Sequence, residues 1–168
     1  MKKKNNISKL LLVLTFISFA QILFAQSNTY KTGIGLRGGF TSGLSIKHFV
    51  KSNAAIEGIV GTRYNGLSLT GLYEWHSPNA LAAPRLSWEY GLGLRAGFYN
   101  GKYYREYGND YYYADRDYSV ISLVGILGLE YHFKEVPISL GFDILPYFDL
   151  NSRGNNYIDG SLALRFTF

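Results

Sequence analysis

The chain has 168 residues, 47% of them hydrophobic, with 19 Gly, 15 Tyr, no Cys and a formal net charge of +5. The lack of cysteine excludes a disulfide framework and a lipid-modified N-terminal Cys. Four of the 17 basic residues (Lys2, Lys3, Lys4, Lys9) and none of the 12 acidic ones lie in residues 1–25. The remaining 13 basic and 12 acidic residues nearly cancel, which removes any case for nucleic-acid binding.

The N-terminus is a charged stretch followed by the apolar run 10–24 and the small residue Ala25. Leu23 stands where a second small residue belongs, so the cleavage rule is half met. The pattern still reads as a secretory signal peptide, residues 1–25, because the run is short for a membrane anchor and no other of spanning length follows. Residues 26–168 then fit one domain.

From residue 33 onward the hydropathy alternates with a period of two, which separates two faces on a strand and would scatter them on a helix. In the first strand Ile34, Leu36 and Phe40 oppose Gly35, Arg37 and Gly39. In the second, Leu44 and Ile46 oppose Ser45 and Lys47. In the third, Ile56 and Val60 oppose Glu57, with Ile59 out of pattern. In the fourth, Leu67, Leu69, Tyr73 and Trp75 oppose Ser68, Thr70 and Glu74. The fifth is the clearest: residues 86–98 set Leu86, Trp88, Tyr90, Leu92, Leu94, Ala96 and Phe98 against Ser87, Glu89, Gly91, Gly93, Arg95 and Gly97. After a long connection, Ile121, Leu123, Leu127, Leu129, Tyr131 and Phe133 oppose Ser122, Gly128, Glu130 and His132. Ile138, Leu140, Phe142, Ile144 and Phe148 then oppose Ser139, Gly141, Asp143 and Asp149. The eighth sets Ile158, Leu162, Leu164, Phe166 and Phe168 against Asp159, Ser161, Arg165 and Thr167.

Eight strands in a run of hairpins predict an all-β, antiparallel up-and-down barrel. An eight-stranded barrel has room inside only for side chains. Glycine on the polar face packs nothing if that face is solvated, but in a narrow lumen it leaves space for long charged groups. The charged face is therefore expected inside, with Arg37, Lys47, Arg95 and Arg165 set against Glu57, Glu74, Glu89, Glu130, Asp143 and Asp159 as a structural charge network. The bulky face is expected in lipid, and a one-residue slip would put an arginine there at roughly 2–4 kcal/mol.

Trp75, Tyr131 and Phe133 fall at strand ends expected in the periplasm, where aromatic girdles sit. The eight alternating strands, the segment 137–147 and the terminal Phe168 resemble the small outer-membrane barrels of OmpA/OmpX type. The resemblance implies a transmembrane barrel in the outer membrane, monomeric and filled by side chains. It also implies outer-membrane lipid as surroundings, and recognition by the barrel-assembly machinery through the last strand ending at Phe168. No peptidoglycan-binding domain follows residue 168, so that part of the OmpA role is not implied.

No catalytic, cofactor or metal site is expected. Some barrels of this size modify lipid A, which takes a base beside a nucleophile on the lipid face near the outer leaflet. The three histidines, His48, His76 and His132, all lie near the periplasmic ends, and His76 and Ser77 would point to opposite faces. His76 and His132 are on strands two apart, without close ligand spacing for a metal. The segment 100–118 carries seven Tyr among basic and acidic residues. Tyr103, Tyr104, Arg105, Tyr107, Tyr111, Tyr112, Tyr113 and Arg116 make it a candidate extracellular contact surface for a ligand the sequence does not name. The leading expectation is thus a non-enzymatic barrel that anchors or presents this surface. A lipid A-modifying enzyme, a narrow solute channel and a soluble lipocalin-type carrier are the alternatives.

Overall fold

A computed structural model describes residues 30–63, 66–99, 118–151 and 156–168. The expected signal segment 1–25 and the candidate contact residues 103–116 lie outside them. Eight strands, β1 (Thr32–Gly39), β2 (Ser42–Lys51), β3 (Ala54–Arg63), β4 (Gly66–Pro78), β5 (Leu86–Tyr99), β6 (Tyr118–His132), β7 (Ile138–Asp149) and β8 (Asn156–Thr167), follow one another. Each pairs antiparallel with its neighbour in sequence, and β8 returns to β1, which closes the barrel. Closure leaves no unpaired strand edge.

Both ends of the barrel chain meet at one rim. The backbone N–H of Thr32 donates to the Phe168 carbonyl at 2.8 Å, and the Phe168 N–H returns to Thr32 at 2.8 Å. The connections β2–β3, β4–β5 and β6–β7 share this rim, which carries outward aromatic pairs: Trp75 with Tyr73 and Tyr90, Tyr131 with Phe133, and Phe166 with Phe168. β5 ends at Tyr99, paired with Tyr118 at the start of β6, at the opposite rim.

The burial of the two faces is inverted relative to a water-soluble barrel. Leu92, Leu94 and Phe142 are 59, 57 and 53% exposed, while Arg95 and Asp143 are 3 and 0% exposed. Each apolar side chain on the outside removes no area from water unless lipid covers it. The period-two phase holds along the strands apart from the β2–β3 end, where the register shifts between Phe49 and Lys51 and both Ala54 and Ala55 are buried. Ile59, out of pattern by hydropathy, simply points inward with Glu57.

The inward glycines serve two purposes, only one of which composition suggests. At Gly33 an added Cβ would meet the Tyr30 ring at 3.1 Å and then the Arg165 side chain at 3.4 Å, so this glycine leaves room for inward side chains. At Gly35 it would lie 1.9 Å from the Leu164 carbonyl oxygen, and at Gly93 2.0 Å from that of Gly71. There the adjacent strand's backbone occupies the space, and glycine permits the tight curvature of a narrow barrel. Outward Gly71, with nothing within 4 Å of its would-be Cβ, carries no such constraint. Gly93→Ala is therefore expected to abolish most of the heat-shifted folded band after refolding in detergent, and Gly71→Ala to leave it intact. Equal yields would contradict this assignment.

Candidate functional site: the charged lumen

Register places each long charged side chain beside short ones. Arg37 lies opposite Gly43 and Ala163, Glu74 opposite Ala55 and Gly91, Glu130 opposite Ser87 and Gly141, and Arg165 opposite Gly35 and Ser139. The small neighbours let guanidinium and carboxylate groups turn toward the barrel axis, where partners from distant strands reach them.

Eight of the ten expected lumen charges come together in this way. Arg37 Nη2 reaches Asp143 Oδ2 at 2.6 Å and Glu57 Oε2 at 3.2 Å. Arg165 joins Glu57 at 2.6 Å and Glu130 at 3.5 Å. Lys47 Nζ sits among Glu89 (2.5 Å), Glu74 (2.8 Å), Glu130 (3.2 Å) and Glu57 (3.9 Å). Three cations, Arg37, Lys47 and Arg165, thus face five carboxylates, a formal excess of two acidic groups. Glu74 Oε1, Glu89 Oε1 and Asp143 Oδ1 accept no hydrogen bond. The latter two crowd the space over Gly128, 3.0 and 2.5 Å from where its Cβ would be.

Arg95 and Asp159 stand apart from this network. Asp159 accepts the backbone N–H groups of Phe40 and Thr41, each at 3.1 Å, and so pins the β1–β2 turn. Arg95 donates to the Tyr157 and Tyr99 hydroxyls and lies 5.1 Å from the Tyr147 ring centroid. Tyr147 stacks on Tyr157 at 4.6 Å, and Arg63 lies 4.3 Å over the Tyr157 ring. The sequence reading missed this aromatic cluster, although Tyr147 is in phase with Asp143 and Tyr157 with Asp159.

The reading also missed what closes the terminal rim. The Tyr30 hydroxyl donates to Glu130 Oε1 at 2.6 Å, and its ring lies edge-on to Phe49 at 5.1 Å and tilted to His132 at 5.6 Å. Phe49 in turn lies 4.7 Å from the His76 ring. Burial, and next the Glu130 carboxylate, push the Tyr30 phenol well above its ordinary pKa, so it remains a donor. Only Tyr30's preceding position, before the first alternating strand, kept it out of the pattern.

The histidines divide. His76 is buried, with Nε2 at 3.4 Å from Glu74 and 3.8 Å from Glu89. Ligand atoms of Glu74, His76 and Glu89 all lie within 4.8 Å of one another, a set drawn from adjacent strands β4 and β5 rather than from His76 and His132. The Lys47 ammonium already sits on the two carboxylate oxygens involved, so a metal there would have to displace it. His48 points outward, and its Nδ1 is hydrogen-bonded to Thr32 Oγ1 at 2.8 Å. This is a base beside a hydroxyl on the outward surface, a pairing that a search for His with Ser overlooks. It lies at the terminal rim, and the nearby backbone donors Thr32 N and Phe49 N are both engaged in ladder bonds, leaving neither to stabilise an oxyanion.

Neither the scan against family models nor the search of curated proteins finds a match. Among solved structures, the N-terminal β-barrel domain of Pseudomonas aeruginosa OprF is similar, with a TM-score of 0.56 at 13% identity over 80% of this chain and 95% of that one. The likeness shows the fold, a closed eight-stranded antiparallel β-barrel.

Removing one partner of a buried ion pair costs about 3–5 kcal/mol. Lys47→Met is expected to fall in that range, because it raises the carboxylate excess from two to three. Asp143→Asn lowers the excess to one and keeps the shape, so it should cost clearly less. Urea unfolding of both variants in lipid vesicles tests the order, and a reversed order would refute the charge count.

Proposed function

We propose that this chain, folded as OprF's N-terminal barrel is folded, is a non-enzymatic integral protein of the bacterial outer membrane. Residues 1–25 direct export, and the strand ending at Phe168 presents the chain to the assembly machinery. The barrel stands as a monomer. Its role is structural: it anchors the surface segment 100–118, whose tyrosines and arginines make contact outside the cell. One observation carries this reading: the apolar face is exposed and the charged face buried, an arrangement favourable only if hydrocarbon surrounds the barrel.

The aromatic pairs at the terminal rim support placing that rim at the periplasmic interface. The long connection after β5 then faces outward, as longer loops of such barrels do. The enzyme alternative gains the Thr32–His48 pair, but the Thr32 and Phe49 backbone N–H groups beside it are already bonded to carbonyls. The soluble-carrier alternative requires the opposite burial of the two faces.

The test is envelope fractionation with gel mobility of heated and unheated samples. The protein should sediment with outer membranes and run faster unheated. Recovery in the soluble fraction without a mobility shift would sink the proposal. Deleting residues 101–117 should preserve the shift and abolish binding of cells to their surface ligand; unchanged binding would remove the contact role.

A further inference from the structure

The inward face is not uniformly polar. Ile59 on β3, Leu72 on β4, Val124 and Ile126 on β6, and Leu145 and Tyr147 on β7 are buried and pack as one cluster. In the closed strand order β3 and β7 lie on opposite walls, and the cluster runs between them over half of the barrel wall. Gly93 on β5 sits within this run, its would-be Cβ 2.0 Å from the Gly71 carbonyl oxygen and 2.8 Å from Leu72 Cδ2. On the β1 and β8 walls the lumen is narrowed by buried Arg37 and Ala163.

This layer sorts the lumen by chemistry. On the side of the chain termini lie the Lys47, Arg165 and carboxylate network, His76 and Tyr30. On the other side lie Arg95, Arg63, Tyr99 and Tyr157. Arg95 donates to Tyr157 and Tyr99, whereas Lys47 donates to Glu89 and Glu130.

We propose that this apolar septum, and not the ion pairs, seals the lumen against ions. Water and ions crossing the barrel need a continuous chain of polar partners, and an apolar constriction removes it by staying dry. The ion pairs alone are a poorer seal, because charged side chains can exchange partners and solvate a passing ion. They assemble and stabilise the barrel; the septum closes it. The inference rests on the membrane reading and on no particular surface role.

The test is ion leak from phosphatidylcholine–phosphatidylglycerol vesicles holding the refolded full chain, scored only for protein that shows the heat-dependent mobility shift. The unaltered protein, Glu57→Gln and Asp143→Asn should all leak at the level of empty vesicles. Leu72→Ser with Leu145→Ser, and separately Val124→Ser with Ile126→Ser, should raise the leak by about tenfold or more. The single change Leu72→Ser, which disturbs folding least, should raise it in the same direction. Leak from the unaltered protein or from Glu57→Gln overturns the proposal, as do folded septum variants that stay tight. Failure of the unaltered chain to enter vesicles overturns the membrane reading and the septum with it, and is seen before any leak is measured.

Discussion

The interior of an eight-stranded barrel is too narrow for bulk water, so every inward side chain gives up most of its hydration. A charge there is tolerable only if other inward side chains replace the lost water. The arrangement around Lys47 answers that constraint. Four carboxylates from β3, β4, β5 and β6 surround a single ammonium group, and no two of those strands could supply the set alone. The strands are joined across the axis as well as along their edges, and the ladder and the network each require the other's register.

The charges also fix orientation. Were both faces apolar, sliding one strand by a residue would exchange equivalent surfaces. With Arg37, Arg95 and Arg165 on the inward phase, the same slip would turn guanidinium groups outward, which in the proposed hydrocarbon surroundings costs about 2–4 kcal/mol each near the midplane. A buried ion network is a weak source of net stability compared with a well-packed apolar filling. Its worth here is that only one of the two possible faces can be turned outward.

Most of the architecture was legible in the sequence because alternation is a local signal with a global consequence. The strand count, the hairpin order and the inward placement of all ten charged residues follow from parity once the volume of the lumen decides which face is inside. Partner choice was not legible. That Arg37 meets Asp143, 106 residues away, while Arg95 meets Tyr157 depends on strand tilt and stagger, which shift heights around the barrel. The apolar layer escaped for a different reason. Ile59 reads as out of pattern and Val124, Ile126 and Leu145 are assigned to neither face by hydropathy, although their parity with Glu57, Ser122, Gly128 and Asp143 places them inside. Where the two signals conflict within one strand, the backbone pleat obliges parity to win.

That conflict also explains how a septum coexists with a register set by charge. Each of its residues shares its strand's inward phase with polar or small groups: Ile59 with Glu57 and Gly61, Leu72 with Thr70 and Glu74, Leu145 and Tyr147 with Asp143 and Asp149. A slip that would bring one apolar septum residue comfortably into lipid must also drag its polar neighbours there. The dry layer can therefore be as thick as one or two inward positions per strand before the inward face loses its identity. The observed cluster stays within that bound, with at most two consecutive inward positions on any strand. A longer apolar stretch would seal no better and would weaken the distinction between inside and outside on which insertion depends.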